Sequence, residues 1–370
     1  MRLTIEKLVY GGDGLARTDQ GVVFVPRTAA GDVVEVEIVE KKKDYAIARV
    51  AKILEPSADR QEPYCPNYET EGCCHWQHIR YAKQIEYKEA VVRESLRRLG
   101  RLDWQHEITH ITGPDRNYRL RATFHVFHGR LGFVHGPIRE CASLVPELNQ
   151  FIPTVEAPTA REVHVLSAPE VVASFVLQDG SIQRTGRVTI HVDGLRYRLA
   201  ADTFFQANRF LLSSFINEVL KHVGPSPQHI LELYAGAGFF SIPLARVAKE
   251  VIALESNHSA VRQARENATL NETRQLRVVE GHVDASLQGP DLKPHIVVLD
   301  PPRAGGGVKT VQRIAQLGPQ RIVYVSCNPS TFAREAEILS RHNYELRSLT
   351  LLDQFPNTYH IETVGSFEVR

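Results

Sequence analysis

The chain has 370 residues, enough for two or three domains. Lys and Arg total 44 against 43 Asp and Glu, for a net charge of +1, with 43% hydrophobic residues. That composition excludes a disordered polyelectrolyte, and no apolar run reaches the roughly 18 residues of a membrane span. The near-neutral total leaves local basic patches open. Met1 leads into an amphipathic strand pattern, not a charged-then-apolar leader, so a cytoplasmic protein is expected. The five cysteines are Cys65, Cys73, Cys74, Cys141 and Cys327. Without a secretion signal they do not suggest a disulfide framework. Four lie early and one far downstream, which suggests a cluster or metal site and a separate reactive thiol.

Residues 1–56 alternate apolar and polar side chains, punctuated by Gly11-Gly12-Asp13-Gly14 and Ala30-Gly31-Asp32. Short strands with such turns predict a small antiparallel barrel. The stretches Gly-Gly-Asp-Gly-Leu-Ala-Arg and Val-Pro-Arg…Gly-Asp resemble the TRAM domain, an OB-like RNA-binding barrel. Lys41-Lys42-Lys43 reads equally well as a charged hairpin turn. A Pro-rich linker follows, then Cys65, Cys73-Cys74-His75-Trp76-Gln77-His78 and a helix over about 81–99. Lys83, Lys88, Arg93, Arg97 and Arg98 on that helix read as a solvated face. Strand patterns fill 107–200, interrupted at Arg139-Glu140-Cys141-Ala142. The expected division is 1–56 barrel, 57–200 central α/β domain with the cysteine cluster, and 201–370 Rossmann-like domain. From Ile230 onward strands and helices alternate, which predicts a doubly wound parallel sheet.

Three stretches of that C-terminal part belong in one crevice, because open α/β sheets bind ligands beyond the carboxyl ends of their strands. The first is the strand Ile230–Tyr234 with the turn Ala235-Gly236-Ala237-Gly238, followed by a second strand that ends in Glu255. Small turn residues let a ligand approach the backbone, and the acid can accept both hydroxyls of a ribose. A dinucleotide would want a third glycine where Ser241 stands, so S-adenosylmethionine is the preferred ligand over NAD. The second is Asp300-Pro301-Pro302-Arg303 at the end of the strand His295–Leu299. Its fourth residue is Arg303, not the aromatic of the related amino-methylating motif. The third is Val325-Ser326-Cys327-Asn328-Pro329, where a buried strand runs into a thiol. Taken alone, Cys327 reads as a small buried apolar residue.

Methylating an amine or a hydroxyl needs no nucleophilic thiol, whereas methylating carbon-5 of a pyrimidine does. A thiolate added at carbon-6 turns the ring into an enolate whose carbon-5 attacks the methyl group. A base must then remove the carbon-5 proton. Glu362, in Thr358-Tyr359-His360-Ile361-Glu362, is an available carboxylate, and His360 is the weaker candidate. Read without further context, Glu362 is an ordinary charged residue at a strand start.

FFQAN at 204–208, the glycine turn with its acid, LDPPRAG, VSCNPSTFARE and LLDQFPNTYHIE together resemble the RNA uridine-5-methyltransferase family. The resemblance implies that Cys327 is the nucleophile and Glu362 the proton acceptor. It implies that Gln206, Tyr234, Gly236, Glu255 and Asp300 bind S-adenosylmethionine or line the transfer site, and that Phe205 packs near the target base. A further contact falls at His282 or Asp284. Phe239 stands where the family has Asn, so one polar contact is lost or replaced. Tyr118-Arg119-Leu120-Arg121 resembles a phosphate-contacting stretch.

Members with an iron–sulfur cluster carry C-x5-C-G-G-C followed by x-x-Q-H and a distant fourth cysteine. Here the middle reads Glu71-Gly72-Cys73-Cys74, so one ligand has moved beside another. Cys65, Cys73, Cys74 and Cys141 are the implied thiolates of a [4Fe–4S] cluster. Zinc on Cys65, Cys74, Cys141 and His75 or His78 is the alternative, as is no metal at all. The expected enzyme is a monomer with an RNA substrate, ribosomal RNA favoured over transfer RNA, and no membrane partner. The competing readings are an RNA-binding protein that kept the fold but lost the activity, and a cytosine-5 enzyme, which places its Cys beside Pro in other contexts.

Overall fold

The computed structural model describes residues 1–71, 74–287 and 293–370. Its largest sheet has eight strands, ordered Leu276–Glu280, Glu250–Glu255, His229–Leu233, Ile296–Leu299, Arg321–Ser326, Glu362–Val369, Tyr344–Leu352 and Thr109–Ile111. The first five are mutually parallel, and Glu362–Val369 runs antiparallel to both its neighbours. Chain order reverses between His229–Leu233 and Ile296–Leu299, which makes the crevice beyond their carboxyl ends the topological switch point.

These strands read as unbroken apolar runs because both faces are covered. Successive side chains go to opposite sides. Ile230, Val298, Val323 and Val325 pack with Phe215, Ile216 and Val219 of the helix Leu212–Val223. Leu231, Val297, Leu299, Ile322 and Tyr324 pack on the other side with Val92 and Leu96 of the helix Tyr81–Leu99 and with Phe332 and Ala336 of Pro329–Arg341. Two elements that precede residue 200 also join this body. The strand Thr109–Ile111 pairs with Tyr344–Leu352, and the hairpin Val188–Val192/Leu195–Leu199 contributes Ile190 and Tyr197 to the first core.

The N-terminal sheet has the short strands and tight turns expected of a small barrel. Its six strands run in the open order Arg2–Thr4, Val33–Lys41, Tyr45–Glu55, Gly21–Val25, Gly14–Thr18, Lys7–Leu8. The two edge strands are nevertheless neighbours in sequence, separated only by Ile5 and Glu6. The sheet must therefore curl until its edges meet. Ile5 N donates to Asp32 O and Glu6 N to Leu15 O, so residues 2–8 continue one ladder to Val33–Lys41 and the other to Gly14–Thr18. Between the two bodies a five-stranded antiparallel sheet (Ile182–Arg184, Val171–Leu177, Ala160–Ser167, Arg121–Phe127, Arg130–Gly132) packs its apolar face with Leu148, Ile152 and Cys141.

The helix Tyr81–Leu99 does not carry only solvated charge. Lys88 and Asp353 are both fully buried, with Lys88 Nζ 2.5 Å from Asp353 Oδ1 and 3.1 Å from Phe355 O. Gln84, one turn earlier, donates to Asn357 Oδ1 at 3.1 Å and accepts from Asn357 N at 2.8 Å. Helix and 353–357 loop are thus joined by a buried polar seam, which positions the residues just ahead of Glu362.

Candidate active site

Cys327 follows the strand Arg321–Ser326 directly. Asn328 ends that strand and caps the next helix, accepting from Ser330 N at 3.0 Å and Thr331 N at 3.3 Å. Pro329 occupies the first helical turn, where its missing N–H costs nothing. The Asn328 amide also donates to Arg303 O at 3.0 Å, which ties the thiol's turn to the Asp-Pro-Pro-Arg loop. Ser326 pairs with Thr363 in the antiparallel ladder, so Glu362 arrives beside Cys327 from the neighbouring strand. Asp300 stands at the end of Ile296–Leu299, and Gln206 Nε2 lies 3.5 Å from its Oδ2.

These groups feel one another. Burial, then the charges of Glu362 and Asp300, push the Cys327 thiol up to about 12, against the opposing pull of Arg303. Burial raises Asp300 to about 7. Burial and the neighbouring Asp300 hold Glu362 well above the usual carboxylate range, with Arg303 opposing. Burial and mutual repulsion thus oppose ionising all three groups together, and the Arg303 charge works the other way on Cys327 and Glu362. His360 lies beside Arg303, 3.3 Å from Nη2, and burial drives it down to about 3, so its imidazole is neutral.

The cofactor half lies at the switch point. Gly236 has φ +56° and nothing within 4 Å of where a Cβ would sit, which leaves an open cradle. Tyr234 takes φ +64°, an unusual conformation for a bulky residue and a mark of a functional turn. Glu255 accepts from Gly236 N at 2.9 Å and Asn257 N at 2.7 Å, which fixes its carboxylate at the rim. Glu232, not singled out by sequence, is buried beneath the turn, and its Oε2 has no hydrogen-bond partner. Burial and the charges of Asp300 and Glu255 raise it to about 8. An open glycine cradle beside a fixed carboxylate that can accept ribose hydroxyls fits a nucleoside-bearing ligand such as S-adenosylmethionine. Asp284 accepts from Thr310 and acts on the Tyr234 phenol, whereas His282 is an exposed N-cap residue.

One aromatic residue falls elsewhere than expected. Phe205 is 1% exposed and packs against Tyr197 and Phe239, so it belongs to the core. Its neighbour Phe204 is 63% exposed, with the Arg121 guanidinium 5.2 Å from its ring centre. Phe239 fills the same core and presents no polar atom of its side chain to the cradle.

The cysteine cluster is only partly assembled. Cys65 and Cys74 share a small buried cluster with Tyr68. A hydrogen bond to Cys141, then burial, raises the Cys65 thiol. Cys73 lies outside the described residues. Among the described residues no three Cys, His, Asp or Glu side chains form a metal-holding group. Gln77 accepts from Cys65 N at 2.7 Å, and His78 Nδ1 meets Tyr68 OH at 2.6 Å. His75 packs on Tyr359, 4.5 Å between ring centres.

The reversed strand order, glycine turn and acid-ended second strand define a class I S-adenosylmethionine-dependent methyltransferase. A family model described as tRNA (uracil-5-)-methyltransferase matches residues 173–368. Another, described as the TRAM domain of tRNA (uracil(54)-C(5))-methyltransferase, matches residues 1–58. An RNA methyltransferase of Aquifex aeolicus is 32% identical, covering 100% of this chain and 99% of its own length. The 23S rRNA (uracil(1939)-C(5))-methyltransferase RlmD of Vibrio parahaemolyticus is 29% identical over 98% of this chain and 95% of that protein. The crystal structure of Pyrococcus abyssi tRNA (uracil-54, C5)-methyltransferase with S-adenosyl-L-homocysteine is similar at TM-score 0.76 and 25% identity, covering 99% of this chain and 100% of that chain. The chain belongs to the RNA uracil-5-methyltransferase family, and its N-terminal sheet is a TRAM domain.

Proposed function

We propose that this enzyme methylates carbon-5 of a uridine in RNA through a covalent adduct on Cys327, with Glu362 as the proton acceptor. The observation that carries the reading is the meeting of thiol, carboxyl and Arg303 at adjacent strand ends. S-adenosylmethionine supplies an electrophilic methyl group. Cys327 first gives its thiol proton to solvent; the thiolate sulfur then bonds to carbon-6 of uracil, and the C5=C6 electron pair moves onto the carbonyl oxygen at carbon-4. Carbon-5 then takes the methyl group, leaving S-adenosylhomocysteine. Glu362 takes the carbon-5 proton, the double bond reforms, and the carbon-6–sulfur bond breaks with its electrons returning to sulfur. Glu362, held well above the usual carboxylate range, binds a proton more tightly than a free carboxylate does, which suits a group that must pick one up. Glu255 is assigned to the ribose, Gly236 and Tyr234 to close approach of the cofactor, and Asp300 with Gln206 to the transfer site.

We infer an unpaired loop as the target, because extruding a base costs least there. Phe204, backed by the largely buried Arg121, and Phe210 with Arg209, whose guanidinium lies 4.7 Å from the Phe210 ring centre, give two exposed rings suited to stacking bases. The similarity to RlmD supports 23S rRNA, and we keep that as the proposed substrate. The three-part division at residues 56 and 200, a monomer and a cytoplasmic location complete the proposal. Cys65, Cys74 and Cys141 have the donor chemistry for a [4Fe–4S] cluster, with Cys73 as the proposed fourth ligand. Iron and acid-labile sulfide content of protein purified without oxygen tests it, and zinc content tests the alternative.

The deciding experiment incubates the protein with labelled S-adenosylmethionine and 5-fluorouridine-containing RNA. A covalent complex that Cys327→Ala abolishes is expected. A complex that persists in the variant would remove Cys327 from the mechanism. Mass spectrometry of ribosomal and transfer RNA from a deletion strain shows which 5-methyluridine disappears.

A further inference from the structure

Tyr10 belongs to the N-terminal sheet, in the turn between Lys7–Leu8 and Gly14–Thr18, yet it does not lie with that sheet's core. It is half-buried against the core that covers the helix Pro329–Arg341 side of the large sheet. Its ring meets Tyr359 edge-on, 5.8 Å between centres at 89°. Tyr359 in turn contacts His360 at 4.4 Å, and these two residues immediately precede Ile361 and Glu362.

The turn that carries Tyr10 is held in place from several sides. Val9 N donates to Asp13 O and Gly12 N to Val9 O, both at 3.0 Å. Trp76 Nε1 donates to Gly12 O at 2.9 Å. Gly12 takes φ +102°, and a Cβ there would come 2.9 Å from Tyr359 Cδ1, so only glycine allows this approach. Such fixing is what a residue needs if it is to meet a substrate in one orientation.

Tyr10 approaches the reacting groups through Tyr359, three residues before Glu362, on which its ring packs. Burial, the largest influence, raises its phenol to about 12, and Arg303, Cys327, Tyr359 and Glu362 all act on it as near neighbours. It therefore stays protonated and remains a donor. Its hydroxyl finds no hydrogen-bond partner among the described residues. The ring is used in packing against Tyr359, and the hydroxyl remains as a fixed, partly open donor.

Building on the proposed function, we propose that Tyr10 is an active-site residue supplied by the TRAM domain, its hydroxyl donating a hydrogen bond to the extruded uracil. The TRAM domain then completes the base pocket as well as holding RNA. Contact with a uracil oxygen aligns carbon-6 with Cys327, so its loss falls on turnover more than on RNA affinity.

The test compares full-length wild type, Tyr10→Phe and Tyr10→Ala. Each is titrated with total RNA from a deletion strain and labelled S-adenosylmethionine, with melting temperature as the folding control. Tyr10→Phe, which keeps the ring, should lower kcat about tenfold and leave KM for RNA within about twofold. Tyr10→Ala should lower kcat at least as far. Unchanged kcat in Tyr10→Phe, or a loss confined to KM or melting temperature, overturns the assignment. A second readout does not require methyl transfer: 4-thiouridine-substituted RNA is photo-crosslinked to wild type and the linked peptide identified. A link within residues 9–13 supports the contact even if no methyl group is transferred, an outcome that would instead defeat the proposed function. Links confined to the outer face of the TRAM sheet overturn it.

Discussion

Two regions of the large sheet bury glutamates with opposite results. Beneath the helix Leu212–Val223, Glu218 accepts from Thr350 Oγ1 at 2.6 Å and pairs with His222 Nε2 at 2.9 Å. Burial works to raise it, but the bonds from His222 and Thr350 prevail and bring it down to about 2. At the carboxyl ends of the strands, Glu362 and Glu232 have burial and neighbouring acids but too few donors, and both rise. The contrast separates a carboxylate that holds the fold from carboxyls held ready for a ligand or a proton. Under-satisfied buried acids gather where chemistry is done.

The sharpest test of that contrast is Glu362→Gln, which removes the acceptor but keeps the shape. Turnover should fall by about 10²–10⁴-fold, while the RNA adduct accumulates because carbon-5 cannot lose its proton. Denaturing gels read the adduct. Wild-type turnover with no trapped species would assign the base elsewhere.

Next comes the buried pair that fixes the loop before Glu362. Lys88→Met leaves Asp353 charged and alone, and should cost about 3–5 kcal/mol of stability in urea unfolding. Lys88→Met with Asp353→Leu should recover much of that loss. Failure to recover would mean that the seam depends on its polar bonds to the 353–357 loop rather than on charge balance.

A smaller effect is expected at Glu218. Its carboxyl is depressed in the folded state, so its stabilisation is complete above the unfolded value of about 4.5 and is lost as pH falls through that value toward about 2. Glu218→Gln should lose about 1–3 kcal/mol near neutral pH and show a flatter acid limb in Tm against pH.

Glu232 should behave in the opposite sense. Its folded value is raised to about 8, so wild-type stability declines as pH climbs from about 4.5 through about 8. Glu232→Gln should raise Tm at pH 9 and leave it unchanged at pH 4. A Tm gain at acid pH instead would mean the carboxyl ionises freely in the fold.

Local pattern reached the catalytic rim well. A strand must stop at Asn-Pro, so Cys327 had to sit at a strand end. The same logic put Asp300 before its two prolines and Glu255 at the close of its strand. The helix over 81–99 followed from apolar spacing, but the fate of Lys88 did not. Its partner Asp353 lies 265 residues away, and a lone lysine on a helix gives no sign of such a partner. Phe204 and Phe205 are adjacent and identical, and only packing with Tyr197 and Phe239 decides which is core. Glu232 looked like a strand glutamate, because strand periodicity does not reveal that both faces are covered.

By itself, then, the order of amino acids determined where each strand and helix begins and ends, and so which chemistry stands at the strand tips. Periodicity and proline act over a few residues, which is why they can be read directly. The tertiary structure decided what those groups experience: which acid lacks a donor, which lysine is dry, and that a tyrosine ten residues from the start packs on Tyr359, three residues before Glu362. Those outcomes depend on distances between segments far apart in the chain, and burial and charge act through space rather than along the backbone.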